Sequence, residues 1–209
     1  MLRSEVINII AARLGNRSGL DSQIKSELVL AQVQLEKAPT LPWFLITEDT
    51  SMSTAADTRT LVTPAGFLRE FEEIPLRLTD DGGTERELVK QEYANLAGDS
   101  YMDDTGRPTH YDLVGGYWQF FPLPDAIYSL RSFHYAAATT LDGADDLENS
   151  WLEHAPDVMI GMAGVSLAMY LRDPEGMKIF AAGYTQAMQR MYNETTARRE
   201  AGHLAQMGG

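Results

Sequence analysis

No cysteine occurs among the 209 residues, so disulfides, thiolate metal sites and cysteine nucleophiles are all excluded. Basic residues are scarce: 17 Lys and Arg stand against 30 Asp and Glu, a net charge of −13. A conventional nucleic-acid surface needs cations to displace counterions from phosphate, so this balance argues against DNA affinity. Long apolar runs are missing too. The longest extends from Val158 to Leu171, short of the roughly 20 residues that span a bilayer. The opening stretch MLRSEVINIIAARLG is interrupted by polar residues and followed by no cleavage-like segment, which reads as no secretion signal. The expectation is a soluble chain, folded in the cytoplasm of whatever cell makes it. Catalytic signatures are equally thin: no HExxH pair, GxSxG elbow or phosphate-cradling glycine loop is present.

What is present is punctuation. Ser4 reads as the cap of a first helix with Leu2, Val6, Ile9, Ile10 and Leu14 on one face, stopped by Gly15. Asp21 or Ser22 starts a second, antiparallel helix with Ile24, Leu28, Ala31 and Leu35 at helical spacing. The segment LPWFLITE reads as a strand, and Pro64 as the start of a helical turn through Phe67 and Phe71. Alternating Ile74, Leu76 and Leu78 predict a strand closing on a turn at Asp81-Gly82-Gly83, and LVKQEYANLAG suits a short helix.

Gly115-Gly116 joins two aromatic runs as a hairpin, since both turn positions tolerate positive φ without a Cβ clash. Pro122 and Pro124 then end the ladder, and Ile127 to Tyr135 gives another strand. An acidic linker leads to Trp151, and Pro156 opens an apolar helix in which Gly161, Gly164 and Ala168 admit a close neighbour. Asp173-Pro174 starts a final helix with Met177, Phe180, Ala181, Tyr184, Met188 and Met191 on one stripe. The segment EAGHLAQMGG reads as a tail that orders on binding. The fold class is therefore α+β. Residues 1–40 and 152–209 form a helical lobe with a C-terminal tail, and 41–151 a β-rich lobe with short helices.

Candidate chemistry weighs lightly. His110 and His134 fall in strand-like runs as possible cross-strand neighbours. Asp142, Asp145, Asp146 and Glu148 form an acidic cluster without a calcium-loop pattern, and Glu153 and Asp157 flank a helix start. No catalytic, cofactor or metal site is assigned. Of the aromatics from Tyr111 to Tyr135, about half are expected in the core, with Tyr117, Trp118, Phe120 and Phe121 offered as an association surface.

In order along the chain, Leu41-Pro42-Trp43, Arg107-Pro108 with Tyr111, the Gly115-Gly116 hairpin, Pro122-x-Pro124-Asp125, Tyr128, Tyr135, Trp151 and Pro156-Asp157 resemble the head-to-tail adaptor proteins of tailed bacteriophages. The resemblance implies a non-enzymatic virion protein that needs no cofactor. It would form a ring of about twelve copies under the portal, with two unlike patches per subunit. Its partners would be itself, the portal protein, the next tail or nozzle protein, and double-stranded DNA that slides past without specific binding. Met188 to Gly209 would supply portal contact, carried by Met188, Met191, Tyr192, Arg198, Arg199 and His203, and removal of residues 194–209 would leave a folded chain. A tail-completion or tail-tube protein is the alternative within phage assembly. From another class comes a small metal-dependent acidic hydrolase resting on Asp145 or Asp146.

Overall fold

Helices occupy both ends of the sequence and strands its middle, an α+β order. A computed structural model describes residues 1–74, 76–80, 82–92 and 104–201. It divides into two units: Met1–Leu45 together with the chain from Ala137, and Ile46–Ala136. The boundaries therefore lie at Leu45/Ile46 and Ala136/Ala137, where the sequence suggested residues 40/41 and 151/152.

In the helical unit, α1 (Arg3–Arg13) and α2 (Asp21–Glu36) are separated by a loop whose Gly15 has φ +77°. The first helix starts one residue before Ser4: Leu2 is its N-cap, and the Leu2 N–H donates to the Glu5 carboxylate at 2.8 Å. Ile24, Leu28, Ala31 and Leu35 of α2 are buried as their spacing requires. A short helix, α3 (Ser150–His154), was not expected in the acidic linker; Asn149 caps it by accepting the Leu152 N–H at 3.1 Å. α4 (Pro156–Tyr170) opens on its proline, and α5 (Pro174–Glu200) is capped by Asp173, whose carboxylate accepts the Gly176 N–H at 2.9 Å.

α4 buries Val158, Met159, Ile160, Gly161, Ala163, Gly164, Leu167 and Ala168. Such burial around the whole circumference follows from a helix apolar on every side, which must be enclosed by others. α1, α2, α3 and α5 all pack on it. At Gly161 an added Cβ would stand 2.8 Å from the Tyr184 Cα, so the two backbones touch only because the side chain is a hydrogen.

The β-rich unit contains two sheets. In the first, β9 (Ser129–Ala136) is central: β1 (Ile46–Asp49) runs antiparallel along one edge, and β3 (Phe67–Glu70) and β4 (Arg77–Thr79) share the other. β5 (Glu85–Glu87) lies outside β4. The second sheet has the order β2 (Thr60–Val62), β8 (Tyr117–Phe121), β7 (His110–Val114), β6 (Val89–Lys90), with only β6 parallel to its neighbour. Gly115 and Gly116 make the β7–β8 turn at φ +61° and +82°, the left-handed conformation their type permits at no cost.

Leu78 and Leu130 from the first sheet and Tyr111, Trp118 and Phe120 from the second share one core. Phe67 begins a strand and no helical turn, because β9 offers an open ladder edge that four residues gain more from than from a lone turn. Val89 and Lys90 likewise pair with His110 and Tyr111 in place of the expected helix. The rest of that helix, Tyr93 to Gly98, lies outside the described residues. Trp43–Leu45 form a 3-10 turn, and the expected strand begins only at Ile46.

Candidate interaction surfaces

The aromatic run of β8 faces inward. Trp118 is 1% exposed and Phe120 and Phe121 are fully buried, so none of these three lies on an association surface. Strand alternation predicts that one face of β8 is buried; here the outer face is covered as well at Phe121, where the Arg59 guanidinium lies 4.8 Å from the ring. Tyr117 alone of the four is exposed, at 48%. Its register partners are Val62 on β2 and Val114 on β7, both exposed. Residues directly opposite in neighbouring strands project to the same side. Val62, Tyr117 and Val114 therefore form an apolar row across the outer face of the second sheet, and two of its three members were not anticipated from the sequence.

Between the two sheets sits a carboxylate. Glu70 of β3 accepts hydrogen bonds from the Trp118 Nε1 at 3.1 Å and the Lys90 Nζ at 2.5 Å, and from the Tyr111 hydroxyl. Burial, then the charge of Glu70, push the Tyr111 phenol far above its ordinary range. Glu70 ties β3 of one sheet to β6, β7 and β8 of the other and is only 11% exposed. These groups are mutually satisfied, an arrangement suited to holding sheets together.

His110 and His134 belong to different sheets and are not cross-strand neighbours. His134 is buried against Phe67, with Nδ1 3.1 Å from the Ser132 Oγ, and desolvation lowers its pKa. The acidic linker is engaged by cations: Asp145 meets Lys25 at 2.7 Å and Arg3 at 3.7 Å, the Lys25 contact holding that carboxyl below its usual range. The N-terminal amine meets Glu148. Asp157 pairs with Arg190 at 3.0 Å and Glu153 with His154 at 3.7 Å, so the two carboxylates answer to separate partners. Among the described residues no group of three or more His, Cys, Asp or Glu is placed to hold a metal ion.

The C-terminal residues are more firmly integrated than their polarity suggested. α5 continues through Glu200. Met191 is buried, as is Thr195, and Met188, Tyr192, Arg198 and Arg199 are half-buried. The Arg198 guanidinium lies 3.6 Å from the Trp43 ring centroid, and Trp43 in turn stands against His154 at 4.9 Å. Phe44 completes the stack, edge-on to Trp151 at 5.1 Å. Arg198 is thus committed to an internal cation–π contact. Removing residues 194–209 would cut packed helix and is no clean deletion of a tail. His203 lies outside the described residues.

Sequence reasoning also missed the residues that fix this stack. Glu36 accepts from Trp151 Nε1 at 3.1 Å and from the Ala138 N–H at 3.0 Å, while buried Gln32 and Asn149 bind the backbone around Thr139. A Gln and a Glu four apart on a helix resemble any solvated pair, so no local signal marks them.

Exposed apolar residues also occur in the helical unit: Met169 and Tyr170 end α4, and Met177 and Ile179 lie in the first turns of α5, with Tyr170 69% exposed and Ile179 63%. No helix among the described residues is long and apolar enough to cross a membrane. The chain matches no protein-family model, and no curated protein is significantly similar to it.

Proposed function

We propose that this chain is a structural adaptor of a tailed-phage neck, forming a ring beneath the portal that joins capsid to tail and continues the DNA channel. One observation carries the reading: each unit has its own exposed apolar set, Val62–Tyr117–Val114 on the sheet and Met169, Tyr170, Met177 and Ile179 at the α4–α5 turn. Closed rings are built from heterologous contacts, which require two unlike patches on every subunit, and exposed apolar clusters mark protein contact. The net charge of −13 supports passage of DNA without adhesion.

Portal docking is assigned to the segment after α5. The test compares the full chain with a version ending at Ala201, which keeps all of α5, in co-sedimentation with purified portal rings. The full chain should sediment with portal and the shortened one should not, with unchanged circular dichroism. Equal binding by both removes the docking assignment, and absence of portal binding by the full chain removes the adaptor reading.

A further inference from the structure

α1 is 11 residues long, shorter than the roughly 12–15 that keep a helix formed in water without help from packing. Val6, Ile7 and Ile10 are buried, and the helix packs on α2 and α4. Its start is held by a different part of the chain, the stretch from Ala137 to Asn149, which contains no helix or strand. The first N–H groups of a helix have no partner within it. Here the Arg3 N–H donates to the Leu147 carbonyl at 3.0 Å and the Ser4 N–H to the Asp145 carbonyl at 2.9 Å. The Arg3 side chain is 4% exposed, and its guanidinium donates to the Gly143 carbonyl. Its one ion-pair partner among the described residues is Asp145, at 3.7 Å, and its buried Nε donates to nothing there. Both ends of the stretch are fixed by α2. Leu141 is fully buried and donates its N–H to Gln32 Oε1 at 3.2 Å, and Asn149 Nδ2 reaches the same oxygen at 3.3 Å. Residues 143–147 therefore bridge the start of α1 between two anchored ends.

We propose that residues 143–147 are a latch on α1: while Asp145 is charged the helix is clasped, and when that charge is lost α1 opens as a unit and α4 and α5 stay packed. The reason is the imbalance of the bridge. A buried guanidinium depends for its counter-charge on a carboxylate that is 60% exposed. Losing the partner of a buried charge is far more destructive than losing a surface pair. The effect should stay local, because α4 and α5 are held by their own contacts at Gly161 and Gly164 and α1 is too short to persist unclasped. The open state bares Val6, Ile7 and Ile10 together with the parts of α2 and α4 beneath them, so the latch governs access to apolar surface that the closed molecule hides. The device does not depend on the adaptor reading.

Hydrogen exchange of the full chain, read by mass spectrometry peptide by peptide, tests this with two substitutions of equal charge change. Asp145→Asn should speed exchange in Arg3–Arg13 by about tenfold or more, with Pro156–Glu200 and Ser129–Ala136 unchanged. Asp146→Asn, at an exposed neighbour, should leave all three regions as they were. Adding Arg3→Met to Asp145→Asn should bring Arg3–Arg13 back to within about threefold of the unsubstituted chain, because no buried charge is then left without a partner. Equal effects of Asp145→Asn and Asp146→Asn overturn the latch, as does acceleration that spreads through α4 and α5 along with α1. Failure of Arg3→Met to restore protection overturns it too, since Asp145 would then act on something other than the buried guanidinium.

Discussion

Gly164 of α4 lies so near the ring of Phe180 of α5 that a methyl group at position 164 would overlap it. One turn away, Gly161 meets the backbone of Tyr184. The two glycines hold the same helix pair together, but one faces a side chain and the other a main chain.

Both should therefore be sensitive to alanine, by about 1–3 kcal/mol of unfolding free energy in urea titrations. Only one defect should be repairable. Phe180→Leu ought to recover much of the loss in Gly164→Ala, because the clash is with ring atoms. No change at Tyr184 should recover Gly161→Ala, since the Tyr184 Cα stays where it is. Equal rescue at both sites would refute the close backbone approach.

Glu70 offers a test in the other unit. Glu70→Gln leaves the Trp118, Lys90 and Tyr111 donors facing a neutral amide that accepts fewer bonds, and should cost about 1–3 kcal/mol. It should also let Tyr111 ionise at lower pH than in the unsubstituted chain, since the adjacent negative charge is gone. Difference absorbance titration against Tyr111→Phe reads this directly; an unmoved transition would mean that Glu70 does not govern the phenol.

His134 makes stability depend on pH in a fixed direction. Desolvation depresses its folded pKa below the ordinary 6.5, with Asp49 opposing weakly. Between those two values the unfolded chain binds the proton and the folded chain does not, so stability falls as pH drops below about 6.5. Above that it is unaffected by this group. His134→Gln should flatten the dependence measured by denaturation from pH 7.5 to 5.5. An unchanged slope would assign the acid sensitivity to other groups.

The order of elements was readable because its signals are local. Pro156 and Asp173-Pro174 start helices by omitting or satisfying N–H groups within one turn, Asp21 places a carboxylate in the first turn of its helix, and the Gly115-Gly116 turn is equally local. Phe67 and Val89 were misread because short segments follow whichever edge is open. The aromatics misled for a related reason. Alternation in YWQFF separates two faces but does not say which is covered, and Phe121 turned out to be roofed by Arg59, 62 residues distant in sequence.

The amino-acid sequence by itself thus determined the starts of α2, α4 and α5, the double-glycine hairpin, the acidity and the glycines where α4 and α5 touch, since each depends on backbone geometry or composition within a few residues. Only the tertiary structure decided that Trp118, Phe120 and Phe121 are interior, that Glu70 reaches Trp118 across 48 residues, and that Arg198 rests on Trp43. Those outcomes depend on which distant segments are brought together, and the free energy of covering a face belongs to the pair of surfaces, never to one stretch of chain alone.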